Sequence, residues 1–238
     1  MTPLLETRNL NMRFGGVHAT RDVNFKLAEG ELRCVIGPNG AGKSTFFKLL
    51  TGQVKPTSGQ IFFRGKDISK MLPHEPGRLG IGIKTQVPNL FNGLSVWENV
   101  WLSARRVNSA ESAERITRQT LERVGMLSHR DDLAGLLAHG LRQWVEIAVV
   151  IAADPPLILL DEPAAGMSDG EVARTAELII EINRQHALVV VEHDMNFIRM
   201  IAKTVTVLHQ GAVIKEDTPD RIMRDPLIQQ IYLGKKPH

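Results

Sequence analysis

Disulfide bonds have no place in this sequence of 238 residues, because Cys34 is its only cysteine, and that fits a reducing compartment. It also lacks an apolar run long enough to cross a bilayer. The most apolar stretch, IAVVIAADPPLILL, is cut by Asp154, Pro155 and Pro156, and neither half approaches the ~20 residues a membrane helix needs. The opening MTPLLETRNL has no basic segment followed by an apolar core, so no signal peptide is expected. Nor does one sign of charge dominate: 29 basic and 26 acidic residues give a net +3, spread along the chain. That is too mild a surplus to argue for nucleic acid. Repeats and low-complexity segments are absent. The expectation is a soluble chain whose membrane role, if it has one, comes through a partner.

Enough apolar residues are present, 43 % of the chain, to bury a large core as one domain or as one domain carrying an insertion. Short β-rich runs come first: LLETRNL, DVNFKL and ELRCVIG, then GQIFFRG between glycines. STFFKLLTG has helical spacing, with Gly52 as its stop. From about residue 88 to 153, SVWENVWLSARR, AERITRQTLERVGML and RQWVEIAVVIAA repeat apolar residues at i, i+3, i+4 spacing. Strands return with LILLDEP, ALVVVEH and TVTVLHQG, alternating with the helical patterns EVARTAELIIEINRQ and DMNFIRMIAK. The pattern predicts an α/β fold with a mostly parallel sheet and a helical subdomain inserted into it. The closing GKKPH reads as a frayed tail.

One segment carries explicit chemistry. GPNGAGKS, residues 37–44, fits G-x-x-x-x-G-K-[ST] in full, and it stands between the strand ELRCVI and the helix STFFKLL. Gly37, Pro38, Asn39, Gly40, Ala41 and Gly42 form a loop whose backbone N–H groups can cradle phosphate oxygens. Lys43 can reach the β- and γ-phosphates, the Ser44 hydroxyl can bind Mg²⁺, and the helix start through Thr45 adds partial positive charge. A second feature is LILLDEP, which ends a buried strand in Asp161 and Glu162. Open α/β sheets place ligands at that end of a strand. An aspartate there can hold Mg²⁺ through water, and a neighbouring glutamate can polarise an attacking water.

With GPNGAGKST, Gln86 in GIKTQ, LAHGLRQ, LILLDEP and VVVEHD in that order, the chain resembles the ATP-binding subunits of ABC transporters over essentially its whole length. ELRCVIGPNGAGKST, DEPAAGM, VVVEHDMNFIR and the ending VTVLHQG…DTPDRIMRDPLIQQIYLG resemble the branched-chain amino acid and urea (amide) importer branch, nearest to the urea type. The resemblance implies a P-loop NTPase core with an N-terminal antiparallel β subdomain, residues 1–87 and 154–238, and a helical signature subdomain over about 88–153. It implies ATP and Mg²⁺ as cofactors and a site on the cytoplasmic side of the membrane. The implied partners are permease subunits, a second ATP-binding subunit (a paralogue rather than a second copy) and, indirectly, a solute-binding protein, with no nucleic acid.

By position, Phe14 in MRFGG matches the aromatic that stacks on adenine, and Gln86 the glutamine that contacts Mg²⁺ and opens the helical subdomain. Glu162 matches the catalytic base, and His193 the switch histidine that contacts the γ-phosphate. Two such subunits sandwich two ATPs, each between the phosphate loop of one and the signature loop of the other.

That signature, LSGGQ or LSHGQ in relatives, here reads Leu137, Ala138, His139, Gly140, Leu141. Gly140 keeps a backbone N–H free, and a helix expected to begin near Arg142 aims its positive end at phosphate. Ala138 lacks the serine hydroxyl that would bond the partner's γ-phosphate, worth roughly 1.5–3 kcal/mol for a charged group. Either this is drift with little consequence, or the chain forms one strong and one weak site in a heterodimer. Ile83 and Thr85 replace the branch's Arg and Phe, and Ser168 its Asp or Asn at the dimer seam. Trp97 and Trp101 share a helical face, either as packing or as part of the permease contact. An importer ATPase is the leading function. The alternatives are an ATP-binding regulatory subunit without useful turnover and, less well supported, a non-transport ABC ATPase acting on DNA or ribosomes.

Overall fold

LRCVI, LILLD and ALVVV lie side by side at the centre of the molecule because each is apolar on both faces and only the interior of a sheet covers both. The computed structural model describes residues 2–86 and 89–233, so the GKKPH tail lies outside it. The strands are β1 (Leu5–Phe14), β2 (Val17–Leu27), β3 (Leu32–Ile36), β4 (Ser58–Phe63), β5 (Lys66–Asp67), β6 (Ile81–Lys84), β7 (Leu157–Asp161), β8 (Ala187–Val191), β9 (Thr204–His209) and β10 (Ala212–Asp217). The helices are α1 (Lys43–Leu50), α2 (Glu75–Arg78), α3 (Val96–Arg105), α4 (Ala110–Arg123), α5 (His139–Ile151), α6 (Asp169–Asn183), α7 (Met195–Ile201), α8 (Pro219–Arg224) and α9 (Pro226–Leu233). Among the described residues no helix is long and apolar enough to cross a membrane.

Two sheets result. The larger runs β10-β9-β3-β8-β7-β6, parallel except for β10, and the smaller runs β2-β1-β4-β5 with antiparallel pairing. Between them lies a core containing Phe25, Phe46, Leu50, Phe63, Val35, Leu159 and Val189, with α1 packed into it. The other face of the parallel sheet carries a second core in which Cys34, Leu160 and Val190 meet Val100, Leu121, Met126, Val145, Ile147, Ile179 and Phe197. The helices α3, α4 and α5 thus add their apolar stripes to the same core as the sheet.

The fold is the expected α/β class with an antiparallel β portion and helical parts. Several elements were not legible. β6 arises from GIGIK, where two glycines weaken the strand pattern. Packing needs them: a Cβ at Gly82 would sit 2.8 Å from both Pro155 Cγ and Val150 Cγ1, and one at Gly80 would sit 2.6 Å from Pro156 Cδ. β10 is a half-exposed edge strand with a mixed polar pattern, so its alternation is faint.

Cys34 is fully buried in the middle of β3, and burial together with the Glu192 charge pushes its thiol well above the usual range. A buried thiol cannot ionise and is out of reach of reagents. Native protein is therefore expected to give no reaction with a thiol-specific disulfide reagent, and denatured protein one equivalent. Stoichiometric labelling without denaturant would contradict the placement of β3.

Candidate active site

Parallel register brings the reactive ends of the strands level. Val35 of β3 pairs with Val191 of β8, and Val191 pairs with Asp161 of β7. The chain leaves each strand at this edge, so the loop after Ile36, the pair Asp161–Glu162 and the sequence Glu192–His193 all emerge on one side.

The loop after β3 is shaped by close backbone approaches. A Cβ at Gly37 would lie 2.3 Å from the Leu208 carbonyl oxygen, and one at Gly42 would lie 2.3 Å from the Ala19 carbonyl oxygen. Gly42 also has φ 103° at the position capping α1, a conformation that L side chains rarely adopt. No side chain caps the start of α1, so its first-turn N–H groups are left to a ligand. Lys43 folds over the loop, its Nζ donating to the Gly37 carbonyl at 2.5 Å and to the Pro38 carbonyl at 3.1 Å. Burial pulls its pKa down, against the opposing charges of Glu162 and Asp161. Pro38 is half-buried, Asn39, Gly40 and Ser44 are exposed, Ala41 is buried, and Thr45 is half-buried in the first turn of α1.

Across from the loop, the Gln86 side-chain amide donates to Glu162 Oε2 at 3.1 Å. His193 Nδ1 stands 3.6 Å from the other oxygen of the same carboxylate and 3.9 Å from Glu192 Oε2, with its side chain 62 % exposed. The structure therefore gathers all three residues expected to be catalytic. Glu162 has φ 46°, the left-handed region, and its N–H donates to the Val191 carbonyl at 2.9 Å. A non-glycine residue held there costs of order 1–3 kcal/mol, a strain typical of functional sites. Glu192 is buried and ties the region together, accepting from the N–H of Ala164 at 3.2 Å and of His193 at 3.1 Å. Its carboxyl is pushed up by burial.

Ser44, Gln86 and Asp161 line a single cavity of about 340 Å³ with Thr85 and Gln53. A hydroxyl, an amide and a carboxylate are hard oxygen donors of the kind Mg²⁺ takes alongside phosphate oxygens. Burial and the adjacent Glu162 charge push the Asp161 carboxyl up, which a cation in this cavity would reverse. The donor set fits Mg²⁺.

Phe14 is 49 % exposed at the end of β1. It pairs with Val17 across a tight turn, and β2 then lays the Ala19 carbonyl against Gly42, so the ring belongs to the phosphate-loop side of the molecule. A core role for this phenylalanine is excluded.

The signature region differs from expectation in one respect: α5 begins at His139, three residues earlier than the expected start near Arg142. Ala138 is the capping residue and makes no side-chain bond to the helix. Serine or threonine there would be the ordinary helix start signal, and its absence concealed the boundary. Ala138 and His139 are exposed, while Gly140 is buried, because a Cβ there would lie 2.0 Å from Glu171 Oε1. The His139 ring, though exposed, is engaged within its own chain. Its Nε2 is 2.9 Å from the Ala165 carbonyl of the same chain and 3.2 Å from the Gln143 amide nitrogen. Ser168 Oγ donates to Glu171 Oε2 at 2.7 Å, an arrangement an aspartate could not make without like-charge repulsion. Trp97 and Trp101 pack against the core, and Arg130 covers the Trp97 ring at 4.3 Å from its centroid.

Two features of this neighbourhood went unread in the sequence: the anchoring role of Glu192, and a buried Lys84–Glu146 pair. In each case the signal was a charged residue at the end of, or inside, an otherwise apolar run, VVVE, IGIK and WVEIAVV.

Comparison with known proteins shows the family and the fold of the chain. A family model described as ABC transporter matches residues 20–165. The high-affinity branched-chain amino acid transport ATP-binding protein LivG of Escherichia coli (strain K12) is 35 % identical over 253 residues, covering 98 % of each chain. The lipopolysaccharide export system ATP-binding protein LptB of Acidithiobacillus ferridurans is 34 % identical over 237 residues, again covering 98 % of each. Among solved structures, the ADP conformation of MJ1267, an ATP-binding cassette of an ABC transporter, matches with a TM-score of 0.88 at 26 % identity. That match covers 99 % of this chain and 100 % of the other.

Replacing Lys43 with alanine removes the one ammonium that the loop encloses. MgADP binding, followed by isothermal titration, is expected to weaken about 10- to 100-fold, the worth of a charge-assisted contact, with the circular dichroism unchanged. Unaltered affinity would remove Lys43 from the site.

Proposed function

Because this chain belongs to the ABC transporter family and is an ATPase of it, we propose that it is the motor subunit of an importer for a small polar solute of the branched-chain amino acid or amide class. The observation that carries the reading is the convergence of Gln86 and His193 on the carboxylate of the strained Glu162 beside the phosphate loop. The similarity to LivG supports the importer branch, as do the DEPAAGM and VVVEHDMNFIR segments.

Phe14 stacks on adenine. The loop Gly37–Thr45 wraps the phosphates with backbone N–H groups, and Lys43 turns from the Gly37 and Pro38 carbonyls to the β- and γ-phosphates. Ser44, Asp161 and Gln86 would hold Mg²⁺, which when bound would offset phosphate charge. Glu162 takes the proton of the attacking water, and its left-handed backbone fixes the direction in which the carboxylate is presented. His193, exposed and within reach of Glu162, contacts the γ-phosphate. Gln86 bonds the base directly, so its segment responds to what occupies the site. The chain works as half of a dimer on the cytoplasmic face, beneath membrane-spanning permease subunits that set the solute and the direction of transport. The exposed start of α5 at Ala138, with Gly140 behind it, meets the ATP held by the second subunit.

A second reading follows from that start. Ala138 caps α5 without a hydroxyl, and His139 is engaged with Ala165 of its own chain, so the contact to the second subunit's ATP rests on backbone N–H groups alone. The chain would then pair with a paralogue whose signature is stronger, giving one strong and one weak site.

Glu162→Gln is expected to lower ATP hydrolysis by about 10²- to 10⁴-fold while leaving MgATP binding in place, as loss of a general base does. Hydrolysis by the variant at the unaltered rate would remove Glu162 from the reaction. In the same background, size-exclusion chromatography with MgATP reports dimer closure. Restoring the hydroxyl with Ala138→Ser is expected to tighten the closed dimer about 10- to 100-fold. No change would show that backbone donors suffice and would end the weak-site reading.

A further inference from the structure

Lys84 and Glu146 form an ion pair in the interior, their side chains 1 % and 6 % exposed, with Nζ 3.6 Å from Oε2. The lysine is the last residue of β6, two positions before Gln86, and its Nζ also lies 3.4 Å from the Asp161 carbonyl oxygen and 3.5 Å from that of Thr85. The glutamate sits two turns into α5, seven residues after His139, and its Oε1 accepts the N–H of Asn89 at 3.1 Å. Four pieces of chain thus meet on one pair of charges: the strand leading to Gln86, the end of the strand carrying the base, the segment entering the helical region, and the helix that begins at the signature.

We propose that the Lys84–Glu146 pair is the positioning device that locks α5 to the nucleotide site, so that rearrangement around Gln86 and Glu162 is passed to the signature helix. The proposal rests on the nucleotide site proposed above. Neither residue touches nucleotide; both act through the elements they join.

Burying two charges is costly, and an apolar pair of similar volume is generally as stable or more so. Such a pair is therefore poorly explained as a stabiliser. What it supplies is direction. Charge-assisted contacts to Asp161 O and Asn89 N fix where α5 sits, whereas an apolar contact tolerates sliding. Packed or hydrogen-bonded links with discrete arrangements are the kind of structure that carries coupling between sites.

The three tryptophans supply a readout, since Trp97 and Trp101 lie on α3 and Trp144 on α5, two residues before Glu146. The full chain carrying Glu162→Gln is titrated with MgATP and followed by tryptophan emission, with and without the replacement Lys84→Met/Glu146→Leu. A response is expected in the first protein and its loss in the second. The melting temperature of the replacement should be equal or higher, and its MgADP affinity by isothermal titration should stay within about two-fold, as for a change outside the ligand contacts. Should the apolar pair not fold, Glu146→Gln poses the same question, because the amide keeps an acceptor for the Asn89 N–H while removing the charge facing Lys84. A response retained at the same midpoint overturns the proposal, as does the absence of any response in the pair-intact chain when MgADP binds normally. If the pair-intact chain binds no MgADP, the nucleotide site itself is wrong and the proposal falls with it.

Discussion

The parallel register that sets Asp161 opposite Val191, and Val191 opposite Val35, is the constraint on which the rest of the molecule depends. A slip of one residue would turn every strand side chain to the opposite face of the sheet and separate the carboxylates from the loop. Because the strands end level, a phosphate loop, a glutamate and a histidine from three distant stretches of sequence share one edge. The two apolar layers fix that register, since LRCVI, LILLD and ALVVV each bury both faces.

Electrostatics at this edge is deliberately unbalanced. Asp161, Glu162 and Glu192 crowd together, and burial and mutual repulsion push the carboxyls of Asp161 and Glu192 up. Lys43 is held low by its own burial, and Lys84 is likewise pulled down although Glu146 and Asp161 oppose the shift. Lys43 and Asp161 have each lost water to burial, and the charges around them do not fully replace it. A polyphosphate with its cation would supply partners for both, negative for Lys43 and the helix end, positive for the Asp161 cavity.

At the signature the balance differs. Gly140 allows α5 to approach Glu171, and Ser168 bonds that same glutamate, so α5 and the start of α6 are tied closely within the chain. His139 adds a contact to the Ala165 carbonyl. The side-chain chemistry of the loop is thus directed inward, which leaves the helix start as the part available to another subunit.

The phosphate loop, Glu162 and the α/β class were legible because each has a local cause: a glycine-spaced motif between a strand and a helix, and apolar runs stopped by charge. β6 was not, since its Gly82 makes room for Pro155 and Val150, residues far along the chain that no local pattern can announce. The start of α5 was misplaced because Ala138 sends no capping signal. The sequence by itself determined which residues could perform phosphate chemistry, since that depends on side-chain type and short-range backbone freedom. Only the tertiary structure decided that Gln86 bonds Glu162, that Glu162 is held in a left-handed conformation, and that Lys84 reaches Glu146. Those depend on strand register and helix packing, which sum many weak contacts across the whole chain.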